Sequence, residues 1–172
     1  TGATAVKIPE KVSRTWRVAL KSDELTAPTA AGGMVFVGDA AGVVRALDAD
    51  GGKVRWTAYT GGAVGYPPAI DGGRVFVGSA DGWAYAFEAA TGRLLWRFRA
   101  APIERMIPVY ERLQSTWPVA AGVAVRGGVA YFAAGMNNFD GTHVYALGAA
   151  DGQIKWQNND SGHIDTFSRK SV

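Results

Sequence analysis

Apolar residues in this chain fall into short runs separated by glycine-containing turns, and the runs keep the two-residue period of strands. The stretch from Pro68 to Phe98 shows the pattern well. Pro68-Ala69-Ile70 is a brief apolar segment, and Asp71-Gly72-Gly73 is a turn whose glycines accept positive φ without a Cβ penalty. Arg74–Gly78 is nearly all apolar, as expected of a strand covered on both faces. Ser79–Gly82 ends in Asp-Gly, a hairpin signal. In Trp83–Glu88 the large residues Trp83, Tyr85 and Phe87 alternate with Ala84 and Ala86, and the alanines let a neighbouring sheet approach closely. Ala89–Gly92 turns the chain again, and Arg93–Phe98 is an outer strand carrying Trp96. Four short antiparallel strands are therefore predicted, and no segment has a helical period.

The same text occurs earlier in the chain. Pro28, Gly32-Gly33, Val35-Phe36-Val37-Gly38, Ala40, Gly42 and Ala46 match Pro68, Gly72-Gly73, Val75-Phe76-Val77-Gly78, Ala80, Gly82 and Ala86 at a shift of 40 without a gap. Trp16, Trp56 and Trp96 share that spacing. Four-stranded units at this period are the mark of a β-propeller, whose blades bury their faces against one another. The predicted class is all-β, with about three blades plus fragments of a larger propeller. Residues 1–15 read as a linker or incoming strand, 16–56, 57–96 and 97–156 as blades, and 157–172 as the start of a further blade. Three blades cannot close a ring. The open faces are expected to be covered by the remaining blades of the same chain or by another chain.

The third unit breaks the rule. Trp156 follows Trp96 by 60 residues, an excess of 20. Gly127-Gly128 matches Gly72-Gly73 at a shift of 55, which places about 15 extra residues before that turn, from Pro102 through Trp117. A second addition surrounds Met136-Asn137-Asn138-Phe139, so the insertions fall at about 100–117 and 135–140. Additions to an otherwise regular repeat are where function is commonly grafted.

Three eleven-residue stretches carry a family resemblance: Ala46-Leu47-Asp48-Ala49-Asp50-Gly51-Gly52-Lys53-Val54-Arg55-Trp56, Ala86-Phe87-Glu88-Ala89-Ala90-Thr91-Gly92-Arg93-Leu94-Leu95-Trp96 and Ala146-Leu147-Gly148-Ala149-Ala150-Asp151-Gly152-Gln153-Ile154-Lys155-Trp156. The shared form Ala-Leu/Phe-x-Ala-x-x-Gly-x-x-x-Trp resembles the tryptophan-docking motif of pyrroloquinoline quinone-like propeller repeats, and differs from repeats that close on Trp-Asp. The resemblance spans roughly residues 16–156. It implies a parent ring of about seven or eight blades and a home in the bacterial periplasm or at the cell surface. Trp16, Trp56, Trp96 and Trp156 are expected to serve structural docking, each wedging a flat indole against the adjacent blade while its N–H finds a polar partner. The family pattern has an acid at the third position and threonine before the glycine. Asp48 keeps the acid, Glu88 lengthens it and Gly148 lacks it, so the third docking turn is expected to be looser.

Composition narrows the chemistry. With 48% hydrophobic residues and 23 glycines among 172, the chain is globular and rich in turns. No apolar run reaches the roughly 18 residues that span a bilayer, so no transmembrane segment is expected. The chain begins at Thr1 without a signal-peptide pattern, which suggests a removed leader or a piece of something longer. The net charge is +3, but the cations are scattered, with small clusters only at Arg97, Arg99, Arg105 and Arg112 and at Arg169-Lys170, which argues against nucleic acid as a partner. Cysteine is absent, excluding disulfides, thiolate metal sites and cysteine nucleophiles. No nucleophile elbow or P-loop occurs.

The resemblance raises one enzymatic expectation, a quinoprotein dehydrogenase, which holds its quinone against a calcium ion bound by acidic and amide side chains near a catalytic aspartate. Many such enzymes carry a vicinal cysteine pair that this chain lacks. The one amide-plus-acid cluster is Asn137, Asn138 and Asp140, too few oxygen ligands for calcium and well suited to a plain turn. His143 and His163 are expected to be hydrogen-bonded structural residues. No catalytic or metal residues are assigned, and pyrroloquinoline quinone with calcium is expected only if the parent is a dehydrogenase.

The first insertion is the most distinctive stretch. Arg105, Tyr110, Arg112 and Trp117 stand on or beside one loop and could hold an anion, a sugar face or an acidic peptide. The competing reading is a hairpin plug with Glu104 and Glu111 pairing the arginines. Arg105, Tyr110, Arg112, Trp117, Asn137, Asn138, Asp140 and His143 are the candidate ligand-binding set. The functional expectation is a non-catalytic binding or scaffolding propeller segment that takes a protein or small-molecule ligand through its long third blade. The alternatives are part of a quinone- and calcium-dependent alcohol or sugar dehydrogenase, or an accessory propeller fused to another domain.

Overall fold

The structure is a computed structural model that describes residues 13–22, 24–136 and 140–160. Three antiparallel four-stranded sheets follow one another, each with its strands in chain order. The first contains β1 (Thr29–Ala31), β2 (Met34–Gly38), β3 (Val43–Asp48) and β4 (Val54–Tyr59). The second contains β5 (Ala69–Asp71), β6 (Arg74–Gly78), β7 (Trp83–Glu88) and β8 (Leu94–Arg99). A two-stranded hairpin, β9 (Met106–Val109) and β10 (Arg112–Ser115), intervenes before the third sheet. That sheet contains β11 (Ala124–Arg126), β12 (Val129–Ala134), β13 (His143–Gly148) and β14 (Ile154–Asn158). The short first strands lie together, β5 against both β1 and β11, as blades of a β-propeller meet at its axis. Among the described residues there is no helix long and apolar enough to cross a membrane.

The core lies between blades. Phe36, Val44, Trp56 and Ala58 of the first blade pack against Val75, Val77, Tyr85 and Phe87 of the second. Ala84 and Phe98 of the second pack against Phe132, Tyr145 and Leu147 of the third. Each blade's motif alanine lies between two aromatic positions on neighbouring strands: Phe36, Ala46 and Trp56 share a row, as do Phe76, Ala86 and Trp96. With only a methyl between them, the flanking rings close to centroid distances of 5.9 Å in both blades. A register shift follows the alanine in all three sheets.

The outer-strand tryptophan then crosses to the next blade. Trp56 donates its indole N–H to the Ala89 carbonyl at 2.8 Å and lies on Gly92. A Cβ at Gly92 would sit 2.6 Å from the ring, and its φ is +75°, so glycine is required twice over. Trp16 makes the same bond to Ala49 at 2.8 Å, and Trp96 to Ala149 at 3.1 Å. At the third turn Gly148 has no carboxyl, and Asp151 takes the vacated space and accepts from the Gln153 N–H. Trp156, in the corresponding row with Tyr131 and Ala146, is 52% exposed.

One position takes a different partner in each blade. Arg45, Tyr85 and Tyr145 precede the motif alanines. Arg45 donates to the fully buried carboxylate of Asp39 at 2.6 Å. Tyr85 donates to Asp81, and burial first, then that carboxylate, raise its pKa, so it stays a donor. Tyr145 donates to the Ala100 carbonyl at 3.0 Å. Burial is the largest influence on Asp39 and would raise its pKa, but Arg45 and the N–H groups of Val43 and Ala41 together hold it below the usual carboxylate range.

Trp56→Ala is expected to cost about 3–5 kcal/mol in urea unfolding. Gly92→Ala should cost more than Gly73→Ala, whose φ of +73° is similar but which faces open space and should lose only about 1–2 kcal/mol. Because the folded pKa of Asp39 is depressed, its stabilising contribution is present above the unfolded value of about 3.9 and is lost as pH falls toward the folded value. Asp39→Asn should therefore lower stability at neutral pH and flatten the acid limb of a stability–pH curve.

Candidate functional site

In the first two blades the crossover is short. Thr60 donates its N–H to the Gly42 carbonyl, and four residues later Val64 donates to the Asp39 carbonyl. The second crossover begins alike, with Ala100 donating to Gly82, but the matching return, from Val119 to the Ser79 carbonyl, comes only after the hairpin. A Cβ at Gly78 would run into Val119, so both blades receive the returning chain against a glycine. The insertion is a side excursion that leaves the blade geometry unchanged.

Its foot is tied down from several sides. Thr116 donates to the Arg105 carbonyl, and Ser115 donates to the Ala80 carbonyl at 2.7 Å. Trp117 is only 6% exposed and gives its indole N–H to the Asp140 carbonyl at 2.7 Å. The Arg105 guanidinium lies 4.6 Å from the centre of the Trp117 ring, donates to Thr116 Oγ1 and pairs with the Asp140 carboxylate. His143, also buried, meets Trp117 edge-on at 6.3 Å; contrary to the expectation of a hydrogen-bonded histidine, neither of its ring nitrogens has a hydrogen-bond partner among the described residues, because it is walled in by apolar and aromatic groups. Arg105, Trp117, Asp140 and His143 thus come together where the two insertions meet. The ion-pair partners are Asp140 and Glu24, not Glu104 and Glu111, because the hairpin's strand pairing carries the arginines onto other elements.

The other end of the hairpin is different. Tyr110 and Glu111 form a two-residue turn with φ of 45° and 66°, a conformation usually taken by Asn-Gly, and Tyr110 is 96% exposed. Arg112 reaches across the ends of two blades to the Ala40 carbonyl at 3.1 Å and to Glu24 at 3.4 Å, with both side chains half-exposed or more. Beneath it lies a cleft of about 300 Å³ lined by Glu24, Ala63, Ala80, Val109, Tyr110 and Gln114. Glu24 and Gln114 were not among the sequence candidates; Glu24 is 88 residues from Arg112 and carries no motif. Asn137, Asn138 and His163 lie outside the described residues.

A family model described as outer membrane protein assembly factor BamB matches residues 9–158. The chain belongs to that family of pyrroloquinoline quinone-like propeller repeats. Its fold is similar to BamB from Moraxella catarrhalis, with 20% identity and a TM-score of 0.53 over 74% of this chain and 34% of that one. It is also similar to quinohemoprotein alcohol dehydrogenase from Pseudomonas putida, with 23% identity and a TM-score of 0.66 over 84% of this chain and 22% of the other. The computationally designed Ika4 protein matches with 17% identity and a TM-score of 0.60, over 84% of this chain and 76% of that protein. The chain therefore spans about a third or less of the two natural proteins. A search of curated proteins finds no match.

Membership of this family raises the question of quinone and calcium. Among the described residues no group of three or more histidine, aspartate or glutamate side chains is placed to hold a metal ion. Asp140 is already engaged by Arg105. The chemistry that the described insertions can offer is a cation beside an exposed aromatic ring, an amide and a carboxylate, suited to noncovalent recognition.

The two arginines should separate on mutation. Arg105→Ala removes ring stacking and an ion pair and is expected to cost about 1–2 kcal/mol in thermal or urea unfolding. Arg112→Ala should stay within about 0.5 kcal/mol of the parent.

Proposed function

We propose that this chain is a binding or scaffolding segment of a propeller protein, without a catalytic role of its own, and that it recognises a partner protein through the hairpin inserted before its third blade. The observation that carries this reading is the division of labour along the hairpin. Its foot is fixed by buried Trp117 and stacked Arg105, while its tip presents Tyr110 almost wholly to solvent on a strained turn. An ordered aromatic residue on a rigid base offers contact area at low entropic cost, a feature of protein-recognition surfaces. The family's description as an outer membrane protein assembly factor supports a protein partner and a site of action in the bacterial periplasm or at the cell surface.

Remaining blades, in the same chain or another, belong to the same proposal. The exposed Trp156 occupies the row from which Trp56 and Trp96 reach the following blade. A further carbonyl-and-glycine turn would complete it.

The second reading, part of a quinone- and calcium-dependent alcohol or sugar dehydrogenase, draws on the fold shared with the Pseudomonas putida enzyme. The two readings separate experimentally. A photo-crosslinking residue at Tyr110, introduced in the native host, should give a discrete protein adduct identifiable by mass spectrometry, whereas the same probe at Ala90, at the opposite end of the blades, should not. Absence of an adduct at Tyr110 counts against the binding reading. Quinone absorbance with dye-linked alcohol oxidation, after reconstitution with pyrroloquinoline quinone and calcium, would favour the dehydrogenase.

A further inference from the structure

The hairpin has one open strand edge, and that edge faces a slot. Val109 and Arg112 flank the two-residue turn and pair with Leu113↔Pro108, Gln114↔Ile107 and Ser115↔Met106 following in register. In such a hairpin the flanking pair exchanges hydrogen bonds and the next pair does not, so Leu113 and Ser115 aim their backbone groups outward from β10. The Ser115 N–H does so visibly, donating to the Ala80 carbonyl. Leu113, two residues nearer the tip on the same edge, makes no backbone hydrogen bond to any described residue outside the hairpin. On the opposite strand the outward positions are Met106, at the foot, and Pro108, which has no N–H to give. Near the tip, strand addition is thus blocked at β9 and open at β10.

Across from the Leu113 edge lie Ala40, Ala41, Gly61, Gly62 and Ala63, the turns and crossover of the first two blades. Together with Leu113 and Arg112 these small residues line a shallow, open depression that shares Ala63, Arg112 and Leu113 with the cleft beneath Arg112. Arg112 spans it, held only by a carbonyl at 3.1 Å and by Glu24 at 3.4 Å. That pair is long, and Glu24 is 70% exposed, so a better-placed carboxylate can displace it at little cost.

We propose that this slot takes an extended peptide segment of the partner protein as a third strand against β10, with a carboxylate of that segment on Arg112. The proposal rests on the reading of the insertion as the recognition element and specifies its ligand. The outward N–H and carbonyl of Leu113 supply main-chain pairing, the alanine and glycine wall admits a backbone, and Arg112 fixes the register through a charged end or an acidic side chain.

The test uses the isotopically labelled chain and a synthetic pentapeptide, Thr-Val-Thr-Val-Asp, with a free terminal carboxylate. Millimolar peptide should shift the backbone amide of Leu113 and the Nε signal of Arg112, leaving Ala90 unmoved. N-methylation of alternate peptide bonds should weaken binding roughly tenfold or more, and Arg112→Ala should weaken it by about tenfold. No shift at Leu113, or equal binding of the N-methylated peptide, would overturn the proposal. A protein adduct at Tyr110 together with either of those results would leave the hairpin as the recognition element and remove only strand addition. Loss of the adduct as well would remove both.

Discussion

An indole ring lying on a glycine turn joins each blade of this protein to the next. Trp56 fills the space that a Cβ on Gly92 would need, and its N–H takes the Ala89 carbonyl that the turn leaves free. The contact links three requirements that cannot be met separately. The turn must be glycine in a left-handed conformation, the cross-strand neighbour of the tryptophan must be alanine so that a phenylalanine can close over it, and the next blade must stand at one spacing. Because the core lies between blades, everything else inherits that spacing.

Within that frame the blades differ where uniformity is not needed. Arg45, Tyr85 and Tyr145 occupy one position and reach a carboxylate, another carboxylate and a backbone carbonyl. The third docking turn replaces the missing acid by moving Asp151 into the room left at Gly148. The indole bond there is 3.1 Å, against 2.8 Å at the other two docking turns. What the geometry demands is that a buried polar group be satisfied, and several side chains can do this.

The inserted hairpin relates to this frame as a graft. It leaves and rejoins the crossover through hydrogen bonds like those that join the first two blades, and it touches the blades at Ala80, at Asp140 and, through Arg112, at Ala40. Rigidity is concentrated at the foot, where Trp117 and Arg105 are committed to packing and pairing. Exposure is concentrated at the tip. The candidate residues near one another in sequence therefore serve different ends: Arg105 and Trp117 hold the element in place, and Tyr110 and Arg112 are presented by it.

The sequence alone determined the repeat, the four-strand unit, the docking motif and the two places where the third unit is too long. Each is a local or periodic property: alternation reports which faces are covered, glycines mark turns, and an interrupted period measures an insertion. The family match spans residues 9–158, a range that contains all three copies of the docking motif. The tertiary structure decided which side chains share a site. Arg112 meets Glu24 and Ala40, and Arg105 meets Asp140, across 88, 72 and 35 residues, distances set by how blades stack and by where the hairpin falls across their ends. Pairing rules within one unit do not reach that far. The sequence counts residues along the chain, whereas the cleft is formed by residues of different blades that the tryptophan contacts bring side by side.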